Sequence, residues 1–260
     1  MEFKFINIKS KYLVFSLLIS ACTTVIGQEN ELSREQIQSV QKVINTFKTK
    51  NKTKISDLLY YPLRRVYPLK DIKDKDDFIQ RFDEIFDKEF MDDITRSKIK
   101  DWSETGWRGI MFDEGAIWIQ EDGQITSIGH QSPLEKQLYY YALQNDKMQL
   151  PKNLQDFKNP LYLIFTENYK IRIDEKGEDT YRYTAWKIKN QKNEPNLVIE
   201  NGVFEPQGSG GNHTITFRNN GYIYIVSINV IGSDDDSEST LEVRQQEKTL
   251  LKESGKIIRN

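Results

Sequence analysis

The acids Asp83, Glu84, Asp87, Asp92 and Asp93 fall within eleven residues, and paired carboxylates of this kind are what glycoside hydrolysis or a metal site would use. Their spacing fits the solvated side of an amphipathic helix better than a converging pair. Asp71, Asp74, Asp76 and Asp77 lack the glycine and terminal glutamate of a calcium loop. Asp234-Asp235-Asp236-Ser237-Glu238 reads as an acidic turn between strands. The two histidines, His130 and His213, are too few for a histidine-based metal site and belong to different expected domains. No Gly-x-Ser-x-Gly elbow is present to set a serine beside a base, and the one cysteine, Cys22, lies near the N-terminus. These patterns point to no catalytic residue, no metal and no cofactor.

Binding chemistry is better supplied. Along 60–69, alternation places Tyr61, Leu63, Arg65, Tyr67 and Leu69 together. Arg65 either binds an anionic group at a pocket rim, with Arg64 and Arg108 nearby, or sits in an ordinary ion pair, because an unpaired buried charge costs on the order of 3–5 kcal/mol. Strands expected over 107–112, 116–120 and 124–129 would put Trp107, Met111, Ile117, Ile119 and Ile128 on a core face. Arg108, Ile110, Phe112, Trp118 and Gln120 would then share the other face. An apolar surface carrying an arginine and an amide is how ligand pockets are lined; the alternative is a back face covered by helices. Farther on, Gly208-Ser209-Gly210-Gly211-Asn212-His213 could let backbone amides approach an anion, but it lacks the Lys-Ser/Thr of a phosphate loop. With Tyr181, Tyr183 and Trp186, this loop makes Asn212 and His213 the candidates of the C-terminal half.

The elements that must position these residues follow from periodicity. Ser33 and Gln36 form a capping-box pair ahead of Ile37, Val40, Ile44 and Phe47, which predicts a helix over 33–49. A short helix follows around Ile55, Leu58 and Leu59. Pro62 and Pro68 restrict 60–69 to an edge strand or an extended crossing. Phe78, Phe82, Ile85 and Phe86 lie on one stripe and predict a helix over 76–90. The period then shortens to strands, with Asp122-Gly123 as a hairpin turn, and a helix over 134–143 closes the unit. Residues 151–160 read as a linker. Beyond it, strands are expected over 161–166, 170–174, 181–189, 197–200, 203–205, 214–218, 222–231 and 240–243, with turns at Asn201-Gly202 and Asn219-Asn220-Gly221. Strands at this spacing predict a small sandwich or barrel.

The fold class is therefore α+β: a helix-rich domain with an antiparallel meander over 31–147, then an all-β domain over 160–260. The chain has 260 residues with 29% charged and 37% hydrophobic side chains, enough apolar material for two cores at about 100–200 residues per domain. A formal net charge of −2 removes the bulk electrostatic drive toward nucleic acid. Lys4, Lys9 and Lys11 precede the uncharged run 12–21, the order of a secretory signal peptide over 1–27. That run falls short of the roughly 20 apolar residues of a membrane-spanning helix, so none is expected in the mature chain. Ile19-Ser20-Ala21-Cys22 is similar to a lipobox, which would place a lipid on Cys22 after removal of 1–21. Val25-Ile26-Gly27 before Gln28 is similar to an ordinary cleavage site. Either form predicts a periplasmic, outer-membrane-associated or secreted protein without disulfides.

The order helix, short helix, broken strand, helix and meander resembles the cone-shaped fold of the nuclear-transport-factor-like and ketosteroid-isomerase-like superfamily, over about residues 31–145. The blocks Tyr61-Pro62-Leu63, Phe78-Ile79-Gln80-Arg81-Phe82-Asp83 and Gly106-Trp107-Arg108-Gly109 also resemble those of uncharacterised exported bacterial proteins. The resemblance implies a curved sheet around a pocket, used by some members for isomerase or dehydratase chemistry and by others for binding alone. No member's acid or base maps onto a numbered residue here. Three functions remain open: a non-enzymatic envelope module that binds a ligand or an envelope protein, a small-pocket enzyme doing acid–base chemistry in the first domain, and an inhibitor or immunity-type protein.

Overall fold

A computed structural model describes residues 32–189, 194–230 and 237–259. The expected leader, Cys22 and both expected cleavage motifs lie outside the described residues, as do Asp234, Asp235 and Asp236. Among the described residues no helix is long and apolar enough to cross a membrane.

The first domain opens with α1, Arg34–Lys48, whose Ser33 and Gln36 exchange the two bonds of a capping box. Its apolar stripe, Val40, Val43, Ile44 and Phe47, is buried. After α2, Lys52–Ser56, the chain crosses as extended backbone that bridges Leu59 to Ile125 and Leu63 to Ile72. The single helix expected over 76–90 is two helices, α3 (Lys75–Ile85) and α4 (Lys88–Arg96). Phe86 is extended at φ −102° and ψ 94°, and Asp87 caps α4 by accepting from the Phe90 N–H at 2.8 Å. A side chain that competes for a free backbone donor restarts the helix on a new axis. The aromatic stripe survives the break: Phe78 meets Phe82 edge to face at 5.5 Å, Phe82, Phe86 and Phe90 stack in series at 5.1 and 5.6 Å, and Phe90 lies on His130 at 3.8 Å.

Four three-residue strands make the antiparallel meander: β1 (Trp102–Glu104), β2 (Ile110–Phe112), β3 (Ile117–Ile119) and β4 (Ile125–Ser127). Its faces differ from the expected ones. Ile110 pairs with Ile119 and Phe112 with Ile117, and all four are buried, while Met111 and Trp118 pair on the outer side. The turn at Asp113-Glu114-Gly115 accounts for the change of phase, because Asp113 and Glu114 both take left-handed conformations at φ 46° and 51° and the two strands then run in step from Phe112 and Ile117. Trp107 is 62% exposed. Helix α5, Pro133–Met148, starts at a Ser132 cap and closes the domain.

The second domain is a closed barrel in which each strand pairs antiparallel with the next. Its strands are β5 (Asn159–Phe165), β6 (Tyr169–Gly177), β7 (Thr180–Lys187), β8 (Leu197–Pro206), β9 (His213–Asn219), β10 (Tyr222–Ile228), β11 (Ser239–Gln245) and β12 (Lys248–Ile257). Strand β12 returns to β5 through Lys256–Phe165 and Ile257–Ile164, and closure removes the sheet edges that would invite aggregation. Of the two expected architectures, the barrel is the one formed. The turn expected at Asn201-Gly202 is instead a kink inside β8. Asn201 has φ 61°, and a Cβ on Gly202 would lie 2.2 Å from the Phe217 ring. A glycine is what lets the strand pass over that ring. Inside, Ile164, Ile171, Ile173, Tyr183, Phe217, Val226 and Leu241 pack in a common core.

Residues 151–160, expected to be a linker, form a 3-10 turn at Lys152–Leu154 and then press onto the barrel, burying Leu154 and Phe157. The two domains are thereby held against each other.

Candidate functional site

Strands β6 and β7 carry an outward column of polar pairs. Register sets Lys170 opposite Trp186, Arg172 opposite Thr184 and Asp174 opposite Arg182. In an isolated barrel these side chains would face water. Here α5, the crossing segment and the 3-10 turn cover them, leaving Arg172 4%, Arg182 1%, and Asp174 and Thr184 0% exposed.

Buried charge needs partners, and most of this column has them. Asp174 accepts from Arg172 Nε at 2.7 Å and from Arg182 NH2 at 2.6 Å. Arg172 reaches across the domain seam with its other two nitrogens to Asp146 of α5, at 2.9 and 2.5 Å. Arg182 also donates to the Leu154 carbonyl at 2.6 Å. The Phe157 ring lies 4.8 Å from the Arg172 guanidinium and 4.7 Å from the Lys147 ammonium, so cation–π attraction adds to the weld. Hydrogen bonds held by charged groups contribute about 1.5–3 kcal/mol each, which makes this seam a specified contact.

One end of the column remains open. A cleft of about 510 Å³ lies between the domains, walled by Tyr67, Lys70, Asn145, Asp146 and Gln149 on one side and by Leu163, Lys170, Arg172 and Trp186 on the other. That volume is within the roughly 300–1,000 Å³ of small-molecule sites. Three cationic side chains face one carboxylate there. Lys170 is half-buried, sits 5.1 Å over the Trp186 ring, and has no ion pair among the described residues. Burial, followed by the positive charge of Arg172, pushes its pKa down. Tyr67 is pushed up to about 12 by burial and by Asp146, whose Oδ1 lies 3.5 Å from its hydroxyl, so it stays a neutral donor.

A larger groove of about 810 Å³ adjoins the cleft at Pro68, Lys70, Ala142 and Asn145. Several of its charges are satisfied internally: Arg64 bonds Asp71 at 2.7 Å, and Arg81 bonds Glu84 at 2.8 Å and the carbonyls of Lys70 and Asp71. It therefore demands a ligand less than the cleft does.

The residues singled out in the sequence are scattered. Arg65 is committed to Glu135 through Nε at 2.6 Å and through NH2, and to the carbonyls of Ile128 and His130. Tyr61 donates to the Ser56 carbonyl at 3.1 Å, and burial, then Asp57 and Asp74, raise its pKa. Arg108 is exposed in a 3-10 turn beside Trp107, Trp118 is half-buried on the outer face of the meander, and Gln120 is exposed. Arg108, Trp118 and Gln120 form no pocket with Arg65. Phe78, Ile110, Ile117 and their neighbours pack together as the apolar core of this domain.

In the barrel, Tyr181, Asn212 and His213 gather at one mouth. His213 Nδ1 lies 2.8 Å from the Gly211 carbonyl, which can only accept, so in the neutral ring Nε2 accepts from the Tyr162 hydroxyl at 3.0 Å. Asn212 accepts from the Val230 N–H. Trp186 belongs elsewhere, because strand alternation turns it outward while Tyr181 and Tyr183 turn in. Lys170, Tyr67 and Asp146 complete the cleft, and sequence reasoning had not assigned them. The signal for Lys170 was available in Lys170-Ile171-Arg172-Ile173-Asp174, whose polar column shares a face with Trp186.

No family model, curated protein or solved structure matches this chain.

Proposed function

We propose that the chain is an exported, non-enzymatic binding module whose ligand is a small organic anion held in the cleft between α5 and the outer wall of the barrel. The observation that carries this reading is Lys170: a half-buried ammonium beside an indole, with no ion pair among the described residues, in a space both domains enclose. A carboxylate or phosphate would supply the missing charge, and a flat apolar portion would lie against Trp186 and Leu163. The leader proposed over 1–27 fits this role, since two domains with their own apolar cores need no disulfides outside the cell.

The test is titration with benzoate and with inorganic phosphate, followed by calorimetry. Saturable binding should be lost in Lys170→Met and weakened in Trp186→Leu. Lys170→Met should itself melt no lower than the parent, because an unpaired, partly desolvated charge contributes little to stability. A variant that unfolds more easily while binding is unchanged would show that Lys170 is structural and end the proposal.

A further inference from the structure

The cleft does not end at Lys170. The groove of about 810 Å³ opens from it, and Pro68, Lys70, Ala142 and Asn145 belong to the walls of both spaces. With the 510 Å³ of the cleft added to the 810 Å³ of the groove, the joined space is larger than the roughly 300–1,000 Å³ of one small-molecule site. Pro68 is buried and Ala142 half-buried, so the neck between the two spaces has an apolar lining on the crossing segment and on α5. Lys70 stands at that neck and enters no ion pair among the described residues.

Charge in the groove is unevenly matched, because five cationic side chains face three carboxylates there. Arg64 takes Asp71 at 2.7 Å, while Arg81 takes Glu84 at 2.8 Å and lies 3.8 Å from Asp77. Lys70, Lys73 and Arg259 are the remainder. Lys73, like Lys70, is exposed and has no ion pair among the described residues. Arg259, just past the end of β12, comes only to 3.6 Å from Glu238, beyond hydrogen-bond range. The other oxygen of Glu238 already accepts from the Ile257 N–H at 3.0 Å. Both domains thus add cationic groups to one concave surface, in a chain whose net charge is −2. A hollow lined by one sign of charge raises the local concentration of the opposite sign.

We infer that the cleft is the inner half of a longer site, and that its ligand is a linear dianion. One anionic group lies at Lys170, an apolar spacer passes the neck between Pro68 and Ala142, and the second anionic group lies among Lys70, Lys73 and Arg259. This rests on the cleft being a binding site, and it adds the ligand's length and second charge. The sequence of surfaces, cationic, apolar and cationic again, selects against a monoacid. A methyl end reaching the groove would desolvate cations without pairing them.

Calorimetric titration with suberate and sebacate, each compared with the monoacid of equal length, octanoate or decanoate, tests this. At least one diacid should bind about fivefold or more tightly than its monoacid, the gain expected when a second carboxylate meets partly exposed cations. Raising salt to about 0.5 M should narrow that difference, because exposed charges are screened. The double variant Lys73→Met, Arg259→Gln should abolish the preference, and Lys170→Met should weaken diacid and monoacid alike. If benzoate or the monoacids bind through Lys170 while neither diacid binds better, the cleft stands and its extension fails. A preference for the diacid that survives Lys73→Met, Arg259→Gln refutes the placement of the second group. A preferred diacid that is indifferent to Lys170→Met shows that the groove binds by itself, which overturns the reading of the cleft as well, as would no binding of any of these acids.

Discussion

Glu135→Gln should be among the most damaging single changes in the first domain. The Arg65 side chain is 2% exposed and that of Glu135 is 1%, so neither charge has water to fall back on. Arg65 donates twice to Glu135 and once each to the Ile128 and His130 carbonyls. Glutamine keeps the volume but offers one acceptor and turns an NH2 toward the guanidinium, leaving a buried cation with carbonyls only. Removing one member of such a pair costs about 3–5 kcal/mol, against about 5–15 kcal/mol for a whole domain. Trp102, Trp107 and Trp118 belong to the first domain and Trp186 to the barrel, so urea unfolding followed by tryptophan fluorescence in a Trp186→Phe background reports on the first domain. The midpoint should fall with the slope unchanged. The double replacement Arg65→Met, Glu135→Leu removes both charges and should recover most of the loss, because apolar substitutes for a buried pair are often neutral or better. If Glu135→Gln costs less than about 1 kcal/mol, or the double variant is as unstable as the single, the pair is not desolvated as described.

Three further outcomes follow from the same reasoning. Asp146→Asn removes the charge that receives both free nitrogens of Arg172 and should cost about 1.5–3 kcal/mol; calorimetry should show the melting of the two domains separating, and one unchanged transition would contradict the seam. Thr184→Val deletes a hydroxyl that is fully buried and has no partner among the described residues, so it should be neutral or stabilise by up to about 1 kcal/mol, and a lower melting temperature would refute this. Burial pushes the Asp87 carboxyl up, but bonds from the Phe90 N–H and from His130 outweigh it and hold the group below its ordinary 3.8. A depressed folded pKa stabilises above the unfolded value and loses that contribution as pH falls through the folded one. Stability should therefore decline as acid is added below pH 3.8, and Asp87→Asn, which still caps α4, should flatten that decline.

Much of the architecture was readable because it rests on local chemistry. The capping box at Ser33 and Gln36, the Asp122-Gly123 turn and the strand spacing after residue 160 all depend on neighbours in sequence. What was not readable depended on contacts distant in the chain. The aromatic stripe from Phe78 to Phe90 keeps one phase through a break in the helix, so periodicity alone could not reveal that Asp87 starts a new one. Strand β12 was not expected, since its outward lysines make Lys248–Ile257 look like a solvated tail until closure against β5 buries Glu253, Gly255 and Ile257. The meander faces were misassigned through the left-handed turn residues Asp113 and Glu114. Of the cleft, only Trp186 had been singled out, because the column from Lys170 to Asp174 reads as an ordinary wet strand face unless α5 is known to cover it.

That covering is also the reason to regard the cleft as a site and not as a flaw in packing. Along the β6–β7 face, the structure matches charges pairwise: Arg172 and Arg182 meet Asp146 and Asp174. The next register pair brings a third cation, Lys170, and opposite it stands Trp186 in place of an acid. A surface under selection only for docking two domains would continue the pairing or end it with an apolar residue, since burying an unmatched ammonium opposes the association it adjoins. Proteins depart from such rules where a ligand completes the arrangement. The unmatched charge lies at the one end of the column where α5 and the barrel leave space, and that coincidence is what supports placing the proposed ligand's anionic group beside Lys170.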